Sequence, residues 1–122
     1  MGKLDKLGAI VTGAGEGIGE AIAKELASNG AKVACIDFNK KSGIDTAKKI
    51  NDSGGEALFI QTDISDPVQV KSMVSESSNF LGSIDILVNN AAKFIFGAVE
   101  DVSQEQWEDI LKVNVIGYST CV

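Results

Sequence analysis

The first residues with chemical potential are Thr12-Gly13-Ala14-Gly15-Glu16-Gly17-Ile18-Gly19, a glycine-rich run between a short apolar segment and one of helical period. Where a helix opens behind a strand, its unsatisfied N–H groups and its dipole favour an anion such as a pyrophosphate, and glycines let the ligand approach closely. The spacing is selective. Ile18 breaks a G-x-G-x-x-G reading from Gly13, and no Lys follows the glycines as a P-loop requires. A turn of this kind standing alone also serves as a plain tight turn. Asp37 adds a second element, because a carboxylate about twenty residues past the glycines can accept from both ribose hydroxyls of an adenosine. Its charge, with Glu16 beside the same pocket, repels a 2′-phosphate, so NAD rather than NADP is the expected dinucleotide. Methyltransferases that use S-adenosylmethionine place a glycine turn and an acid at these same two points, and to this point both classes stay open.

Other chemistries are poorly supplied. The chain has no His, and its two cysteines, Cys35 and Cys121, lie far apart, so neither a zinc site nor a Cys/His nucleophile pair can be assembled and no metal is expected. Both cysteines read as small buried thiols. Asn51-Asp52-Ser53 matches a glycosylation sequon but reads as a helix end and its turn.

The elements that must position these groups follow from periodicity. Leu7 to Thr12 is the first strand, and Ile18, Ile22 and Leu26 give the following helix an apolar stripe that stops at Asn29-Gly30. Lys32 to Asp37 is the second strand, Ile44, Ala47 and Ile50 mark a helix ending at Gly54-Gly55, and Glu56 to Thr62 is the third strand. Asp66-Pro67-Val68-Gln69 starts a helix, with Asp66 as N-cap, Pro67 in the first position and Gln69 returning the capping bond; Val70, Val74 and Leu81 face inward. Ile84 to Asn89 is the fourth strand, and Ser103-Gln104-Glu105-Gln106 is a capping box before inward-facing Trp107, Ile110 and Leu111. Strands alternating with helices imply an α/β fold around a parallel sheet.

The chain has 122 residues, 44% hydrophobic and 23% charged, which is one globular domain over residues 1–122. A formal net charge of -6 disfavours nucleic acid and anionic lipid, both of which need a basic face. Apolar runs such as Ile86-Leu87-Val88 are too short to span a bilayer, the N-terminus has no signal-peptide run, and Lys6 stands where myristoylation wants Ser or Thr. No membrane and a cytoplasmic location are the expectations, with a small molecule as ligand.

From Asp63 and Asn89-Asn90-Ala91-Ala92 onward the sequence resembles the short-chain dehydrogenase/reductase family. Thr12-Gly13…Gly17-Ile18-Gly19 is similar to that family's T-G-x-x-x-G-x-G turn, Asn89 to Ala92 to its N-N-A-G segment with Ala92 replacing the glycine, and Trp107…Val113-Asn114-Val115…Gly117 to its next helix. The likeness covers the whole chain, and a methyltransferase has no reason to carry the last two motifs. It implies a Rossmann-type doubly wound parallel sheet, reaching here through the fourth strand and following helix, and hydride transfer between a nicotinamide and an alcohol or carbonyl substrate. The cofactor-binding set it implies is Gly13, Gly15, Glu16, Gly17, Ile18, Gly19, Asp37, Phe38, Asp63, Ile64, Asn90, Ala91 and Ala92. Asp63 would accept from the adenine amino group with Ile64 beside the ring, and Asn90 and Ala91 would line the nicotinamide ribose. Asn89 would tie neighbouring strands together, and Asn114 would be the catalytic Asn that holds a water in a proton relay.

The family's acid/base Tyr is assisted by a Lys four residues on and by a Ser. Here Tyr118 is the single tyrosine and Val122 stands four residues later, so these residues hold no Y-x-x-x-K and Tyr118 reads as packing. The stretch alone is expected to be inactive, the cofactor-binding half of an oxidoreductase, with a non-catalytic NAD-binding or interaction module as the alternative. An apolar fourth strand at a sheet edge invites pairing, so self-association into a homo-oligomer is expected.

Overall fold

A computed structural model describes residues 2–93 and 97–122. Four parallel strands, β1 (Gly8–Thr12), β2 (Lys32–Asp37), β3 (Glu56–Gln61) and β4 (Ile86–Val88), form one sheet in the order β3-β2-β1-β4. The helices are α1 (Gly17–Ser28), α2 (Lys40–Asp52), α3 (Pro67–Leu81) and α4 (Gln104–Leu111); a π-helical turn (Lys112–Gly117) then leads into α5 (Tyr118–Cys121). No helix among the described residues is long and apolar enough to cross a membrane.

Side chains of the central strands alternate between two cores, as the two-residue period of a strand requires. Val11, Val33 and Cys35 pack with Ala23, Ala27, Ala47 and Ile50 of α1 and α2. Ile10, Ala34 and Ile36 pack on the other face with Val70, Met73 and Leu81 of α3 and with Cys121 of α5. Both faces are therefore covered by helices, the doubly wound arrangement that the alternating pattern implied.

Where expectation and structure differ, a local competitor explains it. The inner face of α1 is built from Gly19, Ala23 and Ala27, with Ile22 and Leu26 at its margin, while Ile18 is 73% exposed. Small residues let this helix sit close to the sheet and tilt its first large apolar residue out. In α2 the inner residues are Gly43, Thr46, Ala47 and Ile50, with Gly43 set so close to Phe59 that a side chain there would strike the ring, and Ile44 is exposed. Gln69 does not return the capping bond to Asp66 N–H: its Oε1 accepts from Asp63 N–H at 2.8 Å, and Asp66 caps α3 by accepting from Val68 N–H. The box at Ser103 and Gln106 forms as expected, with both bonds present.

β1 begins one residue late, β3 ends one residue early, and β4 has three residues rather than six. Side-chain oxygens take the ladder donors at both ends of the β1–β4 pair. Asp85 accepts from Gly8 N–H at 2.9 Å, and Thr12 Oγ1 accepts from Asn90 N–H and Ala91 N–H at 3.0 and 3.1 Å. Trp107 and Leu111 were expected inside, yet both are almost half exposed, since no described element lies over that face of α4.

Candidate functional site

All four strands point their carboxyl ends the same way, and a cleft of about 790 Å³ opens there. This is the ligand position that a doubly wound sheet provides, and the volume lies within the usual range of ~300–1,000 Å³ for small-molecule sites. Its walls come from the turn after β1, the ends of β2 and β3, the segment after β4, and the α4–π-turn helix.

The turn after β1 is built for close approach. A Cβ on Gly13 would stand 2.8 Å from Cα of Ala91, so the turn and the segment after β4 can touch only with a hydrogen at that position. Gly17, at φ +58°, opens α1 with nothing within 4 Å of a Cβ position, on the cleft side. Gly15 and Gly19 lie beneath the cleft and do not line it: Gly15 N–H donates to Asp37 Oδ2 at 2.8 Å, and Gly19 is packed against Gly13 and Asn90. The first-turn N–H groups of α1 have no intrahelical partner by the geometry of any helix start, which leaves a positive end facing the opening.

Asp37 closes β2 as a two-sided acceptor. Its Oδ2 holds Gly15 N–H and its Oδ1 holds Asn39 N–H, each at 2.8 Å. The carboxylate thus fastens the glycine turn to the start of α2 while remaining on the cleft wall. Phe38, 71% exposed, and Ile18 supply apolar surface at the rim. Asp63 Oδ1 accepts from Ser65 N–H and from its hydroxyl at 2.9 and 2.6 Å, and Ile64 is buried beside it.

Across the cleft, Asn90, Ala91 and Ala92 form the wall that continues β4. Asn90 Nδ2 donates to Gly13 carbonyl at 3.3 Å. Thr12, fully buried, is the hub: besides accepting from Asn90 and Ala91, its hydroxyl donates to Val88 carbonyl at 3.3 Å. It is Thr12, not Asn89, that ties the neighbouring strands. Asn89 Nδ2 donates to Tyr118 carbonyl at 3.4 Å, linking β4 to the helix, and its buried Oδ1 has no partner among the described residues.

Asn114 lies in the π-helical turn and off the cleft wall. Its Oδ1 accepts from Lys93 N–H at 2.8 Å and its Nδ2 donates to Lys93 carbonyl at 3.0 Å, so one amide grips both backbone groups of the residue ending the described β4 segment. Burial raises the Tyr118 phenol above its ordinary value, the opposite of what an acid/base phenol needs. Burial pushes the Cys35 thiol up to about 12 and also raises that of Cys121.

Of the thirteen residues expected to hold a cofactor, eleven line this single cleft, and Gly15 and Gly19 support it from below. Sequence reasoning missed Ile36, Thr62, Ser65, Lys93, Asp109, Lys112 and Val113 on its walls. Thr62 and Ser65 flank Asp63-Ile64 and were within reach of the motif. Lys93 directly follows the Asn89 to Ala92 motif and was equally within reach, whereas Asp109 and Lys112 carried no motif signal, because the folded-back helix and not spacing brings them to the cleft.

Comparison with known proteins adds independent findings. The family model described as short chain dehydrogenase matches residues 8–122. An uncharacterised oxidoreductase of Methylorubrum extorquens is 42% identical over 118 residues, covering 96% of this chain and 48% of that protein. A short-chain dehydrogenase/reductase from Burkholderia phymatum, solved in complex with NAD, superposes with a TM-score of 0.94 at 30% identity, over 100% of this chain and 43% of that one. A short-chain dehydrogenase from Burkholderia cenocepacia, solved in complex with NADP, gives 0.92 at 37% identity, over 98% and 49%. The chain spans about half the length of the curated relatives it matches.

Proposed function

Because this chain belongs to the short chain dehydrogenase family, we propose that it forms the NAD(H)-binding half of an oxidoreductase acting on an alcohol or carbonyl substrate. The observation that carries the proposal is the convergence of the glycine turn, Asp37 and Asn90-Ala91 on one cleft at the carboxyl ends of the sheet. The residues present fit a dinucleotide: Gly17 leaves the mouth of α1 open, Asp37 stands at the end of β2, and exposed Phe38 and Ile18 offer apolar surface at the rim.

When bound, the dinucleotide supplies a nicotinamide that gives or takes a hydride. The chain's own residues bind and orient it. The backbone at Gly13 to Gly19 receives the diphosphate, Asp37 the adenosine ribose, Asp63 and Ile64 the adenine, and Asn90 to Ala92 the nicotinamide ribose. Asn114 positions that last wall through Lys93. Preference for NAD rests on three acids, Glu16, Asp37 and Asp63, which line the walls formed by the β1, β2 and β3 ends with no Lys or Arg among the cleft residues there. A 2′-phosphate would meet like charge, and such contacts disfavour the wrong ligand. Relatives in this family have been solved with either dinucleotide, so the argument stands on this chain's own acids.

The acid/base step is not assigned to Tyr118, which does not line the cleft and packs against the core shared with α3. A cytoplasmic homo-oligomer completes the proposal. Half-exposed Trp107, Leu111, Val115 and Ile116 support self-association; sedimentation giving a monomer at tens of micromolar would contradict that part. The test of function is turnover by the whole protein with a panel of secondary alcohols and ketones, followed by nicotinamide absorbance. Oxidation with NAD at least about tenfold more efficient than with NADP is expected. NADP preference would overturn the cofactor assignment, and absence of both turnover and dinucleotide binding would overturn the function.

A further inference from the structure

The charges lining the cleft are unevenly distributed, with both lysines at one end. Glu16, Asp37 and Asp63 lie at the ends of β1, β2 and β3, whereas Lys93 and Lys112, with Asp109 between them, lie at the segment after β4 and on the helix facing it. The sheet order β3-β2-β1-β4 puts β4 two strand spacings from β2, roughly 10 Å. One end of the cleft thus carries three negative charges, and the other a net single positive charge, in a chain whose formal net charge is -6.

Lys93 is held for use. Its backbone is gripped at N–H and carbonyl by the Asn114 amide at 2.8 and 3.0 Å, and its ammonium stands 3.5 Å from Asp109 Oδ2. An ammonium has three donors, and one long contact to Asp109 leaves donors for a further acceptor. Fixing the backbone beforehand lowers the ordering cost of that contact. Lys112, three residues after Asp109 on the same helix, adds a second cation to the same wall.

We propose that Lys93, assisted by Lys112, is a specificity-determining residue that selects substrates bearing an anionic group beside the reacting carbonyl or alcohol. The inference rests on the dinucleotide reading, which puts the nicotinamide at the β4 end of the cleft. The diphosphate is received at the turn after β1, so the lysines are left for the substrate.

The test uses the whole protein with NADH and matched acid–ester pairs, acetoacetate with ethyl acetoacetate and levulinate with methyl levulinate, in wild type, Lys93→Met and Lys93→Arg. Turnover and binding to the enzyme–NADH complex are both read. The acids are expected to be preferred; Lys93→Met lowers the acid-over-ester preference in KM or dissociation constant about fivefold, as for a partly exposed ion pair, and Lys93→Arg retains the preference. An acid that neither turns over nor binds more tightly than its ester overturns the inference, as does an equal loss on acid and ester. A loss confined to NADH affinity also overturns it and assigns Lys93 to the cofactor. Failure of wild type to bind NADH, by contrast, is failure of the dinucleotide reading itself.

Discussion

Replacing Asp37 by Ala removes one charge from the cleft and two acceptors from its wall, and the two losses have separate readouts. Two like unit charges 5 Å apart at an effective permittivity of about 20 repel by about 3 kcal/mol. Asp37 is partly exposed, so solvent screening leaves about 1–2 kcal/mol, roughly 5–30-fold in discrimination against a 2′-phosphate. The second loss falls on the turn. Gly15 N–H is buried and loses its 2.8 Å acceptor, at a cost of about 1–3 kcal/mol, whereas exposed Asn39 N–H can turn to water. Titration of wild type and D37A with NADH and NADPH by ligand fluorescence, alongside thermal melting, separates these terms. The variant should melt earlier, bind NADH about tenfold more weakly, and show a NADPH-to-NADH affinity gap narrowed 5–30-fold. An unchanged gap with the melting shift present would refute the electrostatic reasoning and leave Asp37 a purely structural acceptor.

Thr12→Val leaves two backbone N–H groups and one carbonyl without their hydroxyl and should cost about 2–4 kcal/mol in denaturant melts, while Thr12→Ser, which keeps the oxygen, should cost less than half of that. Cys35, with its thiol pushed up to about 12, should resist alkylation in native protein at pH 8 and react at once in denaturant; equal rates in both states would contradict the burial of β2. Asp85 is held below its ordinary value of 3.8, first by Gly8 N–H and then by the Ser83 hydroxyl. Its contribution is therefore present above pH 3.8 and lost as pH falls through the lower folded value, so acid-unfolding curves of wild type and D85N should be separate above pH 3.8 and draw together as pH falls below it, meeting only beneath the folded value. A separation that does not depend on pH would refute the linkage.

The sheet and its order of elements were legible because β1 and β2 are short apolar runs that carry Ile10, Val11, Thr12, Val33 and Ile36, and the helices that follow them, α1 and α2, end at glycines that take positive φ, Gly30 and Gly54. The cleft was legible through its backbone-defined parts, the glycine turn and the Asn90-Ala91 wall, since close approach constrains residue type strongly. What stayed hidden depended on side-chain oxygens competing for ladder donors, as Thr12 and Asp85 do at the two ends of β4, and period alone does not report that competition. Helix faces were misread where small residues pack: Ile18 fits an apolar stripe by spacing, yet Gly19 and Ala23 win the sheet because they allow closer contact. The lysine end of the cleft was hidden for a third reason, namely that Lys93 and Asp109 are sixteen residues apart and are brought together by the tertiary fold.

The most direct test of the central claim is amide chemical-shift mapping of isotopically labelled protein during titration with NADH. Saturable one-to-one shifts at Gly13 to Gly19, Asp37 and Asn90 to Lys93 are the predicted result. Shifts confined to the separate groove between α1 and α2, around Lys24 and Gly54, or no shifts at millimolar ligand, would contradict the claim that these main-chain amides and this acid hold a dinucleotide.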